Sequence, residues 1–208
     1  MSLDLYNKLK NETLKLKEVL PIDYVNYWGK ERSTFDDQKY NVNGIKDNKG
    51  RTKIDVIFKY VKGNSLLEIA CCPGELLRIA KEKGFKKVIG VAPEKEYIEK
   101  MKEETGAEIF EGFFEDFETK DKFDTIVAMD LFEHLEDGQK FIDKCRKMLK
   151  KGGCIILMLP LIIKGQEFDI KHYSPEHVWI YSEEHINKWL KPIKKDKWLT
   201  GHEVIVIE

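Results

Sequence analysis

No apolar run in this 208-residue sequence is long enough to cross a membrane, and no membrane partner is expected. Neither sign of charge is in excess. The 36 Lys and Arg face 37 Asp and Glu, for a net charge of −1. That balance argues against a general nucleic-acid binder, which carries a basic surplus. No Cys-x-x-Cys pair occurs among Cys71, Cys72, Cys145 and Cys154, which removes the common zinc arrangement. Adjacent Cys71 and Cys72 are poor disulfide partners for each other, so reduced thiols in a cytoplasmic compartment are expected. The opening residues, Met1 to Lys8, do not read as a signal peptide. There is no internal repeat and no low-complexity linker. What is present is 42% hydrophobic and 11% aromatic residues, enough for one domain with a real core.

Short apolar runs alternate with helical periodicity along most of the chain. Leu3 to Leu20 carries leucines among Lys and Glu and predicts an N-terminal helix stopped by Pro21. Residues 22–50 are irregular and aromatic, with Tyr24, Tyr27, Trp28, Phe35 and Tyr40. They read as a loop on the domain edge or as a substrate-side lid. Helices are expected over 51–62, 74–83, from Pro93 to about 105, over 137–150, and from Ser182, which has the chemistry of an N-cap. Strands are expected over 65–70, 87–92, 107–110, 123–130, 154–159 (stopped by Pro160) and 202–207. Continuous apolar strands between helices mean a doubly wound, mostly parallel sheet covered on both faces. The expected organisation is an N-terminal helical and lid-like extension over 1–50 and an α/β domain over 51–208.

The stretch from Ser65 to Leu77 is the centre of that arrangement. Ser65 to Ala70 is a buried strand, apolar except for Glu68, and Pro73 and Gly74 punctuate it. Leu76, Leu77, Ile79 and Ala80 then resume at helical spacing. A strand running through a glycine-containing turn into a helix N-terminus is where α/β proteins hold cofactors. Ligands in such sheets lie outside the carboxyl ends of the strands. The residues that matter are therefore Ala70 to Gly74, Ala92 to Glu94, Phe110 to Asp116, Asp130 to His134 and Leu159 to Leu161.

Taken in order, these segments resemble a class I S-adenosylmethionine-dependent methyltransferase. Leu-Glu-Ile-Ala-Cys-Cys-Pro-Gly is similar to that family's acidic residue and glycine-rich loop, and Val-Ile-Gly-Val-Ala-Pro-Glu-Lys to its second strand. Phe-Asp-Thr-Ile-Val-Ala-Met-Asp-Leu-Phe-Glu-His-Leu-Glu-Asp resembles the fourth strand and its tail. Lys-Met-Leu-Lys-Lys-Gly-Gly-Cys-Ile-Ile-Leu-Met-Leu-Pro resembles the junction into the fifth. His177 to His185 resembles a late segment of the subgroup that methylates small metabolites and sugars. The resemblance implies a Rossmann-like fold with a seven-stranded sheet flanked by helices, S-adenosylmethionine as cofactor, and a small-molecule acceptor such as a sugar or another hydroxylated metabolite. It directs the cofactor to Glu68, Ala70, Cys71, Cys72, Gly74, Ala92, Pro93, Glu94, Asp130 and Leu131, with Glu115 or Asp116 for the adenine amine and Phe113 or Phe114 for its face.

Three positions depart from the family's pattern. Ala70 and Cys72 stand where glycines are usual, and Ala92 stands where an acidic residue receives the ribose hydroxyls. Hydrogen bonds to a charged group are worth roughly 1.5–3 kcal/mol each, so that loss amounts to about 10- to 1000-fold in affinity. Glu94, two residues on, is the alternative ribose ligand. Methyl transfer to a hydroxyl needs alignment and a proton acceptor. His134 and His177 are the candidate bases, because imidazole titrates near neutrality. His172, His185 and His202 are weaker candidates. The run Glu133, His134, Glu136 and Asp137 has oxygen donors for a divalent cation. Glu136 and Asp137, however, read as helix-start carboxylates, and no metal ligand is assigned. A nicotinamide-dinucleotide fingerprint would need glycine at Glu75 and is rejected. The alternative function is a catalytically impaired methyltransferase-like binding module.

Overall fold

The computed structural model describes residues 14–15, 46–163, 177–198 and 201–208. After a two-residue strand, β1 (Leu14–Lys15), the apolar runs form β2 (Ser65–Ile69), β3 (Lys87–Ala92), β4 (Glu108–Glu111), β5 (Phe123–Met129) and β6 (Leu149–Ile162). These five pair in parallel in the order β4-β3-β2-β5-β6. Three further strands are β7 (Trp179–Ser182), β8 (Lys194–Lys197) and β9 (His202–Ile207). Strand β9 lies antiparallel to β6, and β8 antiparallel to β9. The run β4-β3-β2-β5-β6-β9-β8 is the expected seven-stranded, mostly parallel sheet. It is extended by β7, parallel to the end of β6, and by β1 on β7.

The helices are α1 (Lys53–Phe58), α2 (Glu75–Glu82), α3 (Lys95–Thr105), α4 (Gly138–Met148) and α5 (Glu183–Leu190). Successive strand residues point to opposite faces, and both faces are covered. Leu66, Val127 and Ile156 join Ile57, Leu77 and Met101 beneath α1, α2 and α3. Their chain neighbours Leu67, Ile126 and Ile155 join Phe141, Ile142 and Ile186 beneath α4 and α5. Local caps fix the helix starts. Thr52 and Asp55 form a reciprocal capping box on α1. The Asp137 carboxylate accepts from the Lys140 N–H at 2.9 Å, and the Ser182 hydroxyl accepts from the His185 N–H at 3.1 Å.

Two local expectations are corrected. The helix expected over 3–20 does not hold at Leu14 and Lys15, which pair with Ile180 and Trp179. An unpaired sheet edge supplies backbone partners that outweigh a weak helical periodicity. The rest of that helix, the irregular segment as far as residue 45 and His172 lie outside the described residues. Pro160 does not stop its strand, and β6 continues to Ile162. The Leu161 N–H bonds toward Gly201 on the β9 side, so the missing Pro160 donor faces the opposite side, where β5 has already ended at Met129. Strand β8 has the sequence Lys-Lys-Asp-Lys, with no apolar alternation to announce it. It is an edge strand carrying charge, and β9 recruits it through the backbone.

Candidate functional site

The turn after β2 is shaped by two left-handed residues, Ala70 at φ 59° and Gly74 at φ 91°. Gly74 starts α2 without a side-chain cap, and the Leu77 N–H in the first turn donates to the Glu68 carboxyl. Between them, Cys71 donates its N–H to the Val91 carbonyl, and its thiol is buried against Gly90. Burial raises that thiol far above its ordinary range, so Cys71 is an inert core residue and not a side-chain ligand. Cys72 is half-buried. A left-handed alanine carries about 1–2 kcal/mol of strain that glycine lacks, partly offset by glycine's looser unfolded chain. Ala70→Gly is accordingly expected to raise Tm by about 1–4 °C in a thermal melt. A fall in Tm would mean that the turn is not strained there.

On the β3 side, Ala92 is fully buried and its carbonyl accepts the Gly112 N–H at 2.9 Å. Pro93 is exposed, and Glu94 sits at the start of α3 with its Oε2 buried and without a hydrogen-bond partner. Phe113 is 64% exposed, whereas Phe114 is 6% exposed and packs on Phe141 at 5.1 Å. The expectation that Phe114 flanks adenine is therefore corrected, because its place in the strand-to-turn register turns it into the core. Glu115 and Asp116 are exposed.

Charged groups converge beyond the end of β5. Asp130 is held at φ 48° while its N–H donates to the Met158 carbonyl. Its Oδ2 accepts from Lys53 Nζ at 2.8 Å, and its Oδ1 is buried without a partner. Burial alone would raise the Asp130 carboxyl, but Lys53, with His202 and His177, outweighs it and holds the group below its ordinary value. The side chain nonetheless keeps 38% of its surface open, so it lines the crevice. Glu68, within β2, is pushed up to about 8 by burial, against the pull of Lys53.

Leu131 leads into a short 3-10 helix, Phe132–His134, which Phe132 anchors in the core. Glu133 is 1% exposed and its carbonyl accepts the Val178 N–H at 2.9 Å. That bond holds His177 and Val178 against this helix. It brings His177 Nε2 to 3.8 Å from Glu133 Oε1, and the His134 and His177 rings to 4.6 Å at right angles. Glu133, His134 and His177 each offer one donor atom within 4.8 Å of the others. Burial and then His134 push His177 down to about 3. Burial and Asp130 push Glu133 well up. His202 adds to the field at Asp130, a role its position beside the last strand did not suggest. His185 stacks instead with Trp189 and Tyr181.

Beside this group lies a cavity of about 670 Å³ lined in part by Glu136, Trp179, Tyr181, His185, Lys188 and Trp189. The Trp179 indole donates to the Leu135 carbonyl at 2.9 Å, which ties the cavity wall to the residue after His134. Sequence reasoning missed Lys53 and these aromatics. Lys53 lies 77 positions from Asp130 and belongs to no strand-end motif. Trp179 and Tyr181 were visible only as part of a late segment whose partner surface was unknown.

A family model described as a methyltransferase domain matches residues 34–192. The ubiquinone biosynthesis O-methyltransferase of Bradyrhizobium sp. (strain ORS 278) is 25% identical over 163 residues, covering 71% of this chain and 61% of its own. That of Bradyrhizobium diazoefficiens is 26% identical over 161 residues, covering 70% and 60%. The chain thus spans about 60% of the length of these curated relatives. Among solved structures, an S-adenosylmethionine-dependent methyltransferase from Clostridium acetobutylicum superposes with a TM-score of 0.57 at 14% identity, covering 86% of this chain and 97% of the other. The YcgJ protein of Bacillus subtilis superposes with a TM-score of 0.56 at 20% identity, covering 69% and 70%. Among the described residues, no helix is long and apolar enough to cross a membrane.

Proposed function

Because the chain belongs to the methyltransferase-domain family, we propose that it transfers a methyl group from S-adenosylmethionine to a hydroxyl oxygen of a small, ring-containing acceptor. The observation that carries this is the Lys53–Asp130 pair at the mouth of the turn, with a buried Asp130 oxygen still lacking a partner. The amino-acid tail of that cofactor is a zwitterion. An ammonium and a carboxylate held 2.8 Å apart are its complement. The buried, unpartnered Glu94 oxygen is a second fit, since a ribose hydroxyl would satisfy it where Ala92 offers none. The uncapped start of α2 and exposed Phe113 add to a crevice of suitable chemistry.

When bound, the cofactor would supply a sulfonium-bound methyl group as the electrophile, held by Lys53, Asp130 and Glu94. The protein's own tasks are to align the acceptor oxygen and to manage its proton. Trp179 and Trp189, both partly exposed, give flat apolar faces on which a sugar or phenol ring can stack. The relatives' names point to ubiquinone biosynthesis and an oxygen acceptor, which agrees with a hydroxylated ring. His177, neutral and pushed down to about 3, is a weak base at neutral pH. The second reading, an impaired binding module, draws on Ala92 and Cys72.

A thermal melt with S-adenosylhomocysteine separates the two readings. At about 100 times its Kd a ligand adds roughly 2.7 kcal/mol, which raises Tm by roughly 5–10 °C. An unchanged Tm at millimolar ligand removes the cofactor and the proposal with it. In the same assay Ala92→Asp is expected to tighten binding by about 10-fold, by giving the ribose a carboxylate. Weaker or unchanged binding would leave the ribose to Glu94 alone.

A further inference from the structure

We propose that Glu133, His134 and His177 form a site for one divalent first-row transition-metal ion. This rests on the methyl-transfer reading for its purpose, but not for its evidence. Two imidazoles and one carboxylate present donor atoms within 4.8 Å of one another, close enough to share one ion. Glu133 is the strongest sign. Its side chain is 2% exposed, yet Oε2 has no hydrogen-bond partner, and Oε1 stands 3.8 Å from His177 Nε2, beyond hydrogen-bond reach. A buried carboxylate is retained at such a cost when it is paired or ligates a metal.

The backbone holds the three donors independently of any ion. Glu133 and His134 are fixed by the short 3-10 helix, whose His134 N–H donates to the Leu131 carbonyl at 2.9 Å. His177 is tied to the same helix by the bond from the Val178 N–H to the Glu133 carbonyl. The site is therefore assembled from residues some 43 positions apart in sequence (from His134 to His177), joined by the Val178–Glu133 backbone bond and by the Trp179 indole on the Leu135 carbonyl. The Lys53 ammonium is engaged with Asp130 at 2.8 Å, leaving the Glu133 group to a different cation.

The donor set selects the ion. Imidazole nitrogen suits zinc, copper, iron and nickel, whereas magnesium, calcium and manganese favour oxygen shells. Three protein donors leave coordination positions open. An acceptor hydroxyl ligated there loses its proton more readily, which answers the weak basicity of His177. The acceptor class is thereby narrowed to compounds that present an oxygen able to ligate, such as phenols and vicinal diols.

The test uses the full chain, stripped with a chelator and titrated with cobalt(II) alone. Visible absorption and calorimetry are recorded together. One equivalent is expected to bind with ligand-field bands of a nitrogen–oxygen shell. Glu133→Gln, His134→Asn and His177→Asn are each expected to weaken it by at least about 100-fold. Melts identify any variant that fails to fold, and the remaining variants carry the comparison. No stoichiometric cobalt binding, or equal binding in the folded variants, overturns the site. Displacement of cobalt by equimolar magnesium overturns the class of ion. S-adenosylhomocysteine binding is measured on the stripped protein in parallel. Cofactor binding without cobalt binding overturns the metal alone. Cobalt binding without cofactor binding overturns the methyl-transfer reading and leaves the metal site standing.

Discussion

A Lys53→Met protein is expected to bind S-adenosylhomocysteine about 100-fold more weakly than wild type, while binding 5′-methylthioadenosine equally well. The two ligands share the adenosine and the sulfur, and differ in the amino-acid tail. Lys53 begins α1 and is positioned by the Thr52–Asp55 capping box, so its placement survives the loss of its own charge. Charge-assisted hydrogen bonds are worth roughly 1.5–3 kcal/mol, and 2.7 kcal/mol is about 100-fold in affinity. The substitution also strands the Asp130 carboxylate, which Lys53 meets at 2.8 Å. Without that partner the carboxyl rises toward neutrality, and its ability to receive the tail's ammonium falls as well. Lys53→Arg keeps the charge and is expected to retain most of the affinity. Calorimetry with both ligands decides the matter. An equal loss for both would make Lys53 a structural residue, and no loss for either would remove it from the site.

The difference between what the sequence revealed and what it hid follows the range of the forces involved. Strands β2, β3, β5 and β9 and the caps at Asp137 and Ser182 were legible because burial and capping write themselves into neighbouring residues. The crevice was legible because chain order fixes where parallel strands end. Individual side chains within it were not. Phe113 and Phe114 are indistinguishable by type, and only the register of the turn after β4 sends one outward and the other onto Phe141. Cys71 and Cys72 present the same ambiguity, which the packing of Cys71 against Gly90 resolves. Lys53–Asp130 and Glu133–His177 are long-range pairs set by how α1 and the start of β7 pack against the end of β5, and no local pattern encodes them. Strand β8 was hidden for a different reason. Backbone pairing with β9 and the bonds that Asp196 accepts from Lys59 and Tyr60 hold it, and none of these shows in the local pattern Lys-Lys-Asp-Lys.

Away from the crevice, Asp124→Ala is expected to lower Tm by about 6–12 °C without changing cofactor affinity. Asp124 lies at the amino end of β5, at the opposite end of that strand from Asp130, about 20 Å away at 3.3 Å per residue. Its Oδ2 accepts from the N–H groups of Asn64 and Ser65 at 3.0 Å each, from the Ser65 hydroxyl at 2.7 Å and from Lys150 Nζ at 2.9 Å. Ser65 Oγ in turn accepts the Asp124 N–H at 2.9 Å, locking the start of β2 to the start of β5. Gly63, at φ 67°, leaves room for this carboxylate, since a Cβ there would collide with the Asp124 side chain. Each stranded N–H costs about 1–3 kcal/mol, and with the side chain 23% exposed some of that is recovered by water. A net loss of about 3 kcal/mol gives the stated change in Tm. Burial by itself would raise this carboxyl, but the Asn64 and Ser65 donors and Lys150 outweigh it and hold the group down at about 2, against an ordinary 3.8. A depressed carboxyl stabilises the fold fully above the unfolded value and ceases to do so as pH falls through the folded one. Wild type is thus expected to lose about 2 kcal/mol between pH 4 and pH 2 through this group, a loss absent in Asp124→Asn. Urea melts of both proteins across that interval measure it. Parallel acid slopes would show that the Asp124 charge contributes nothing to joining the two strands.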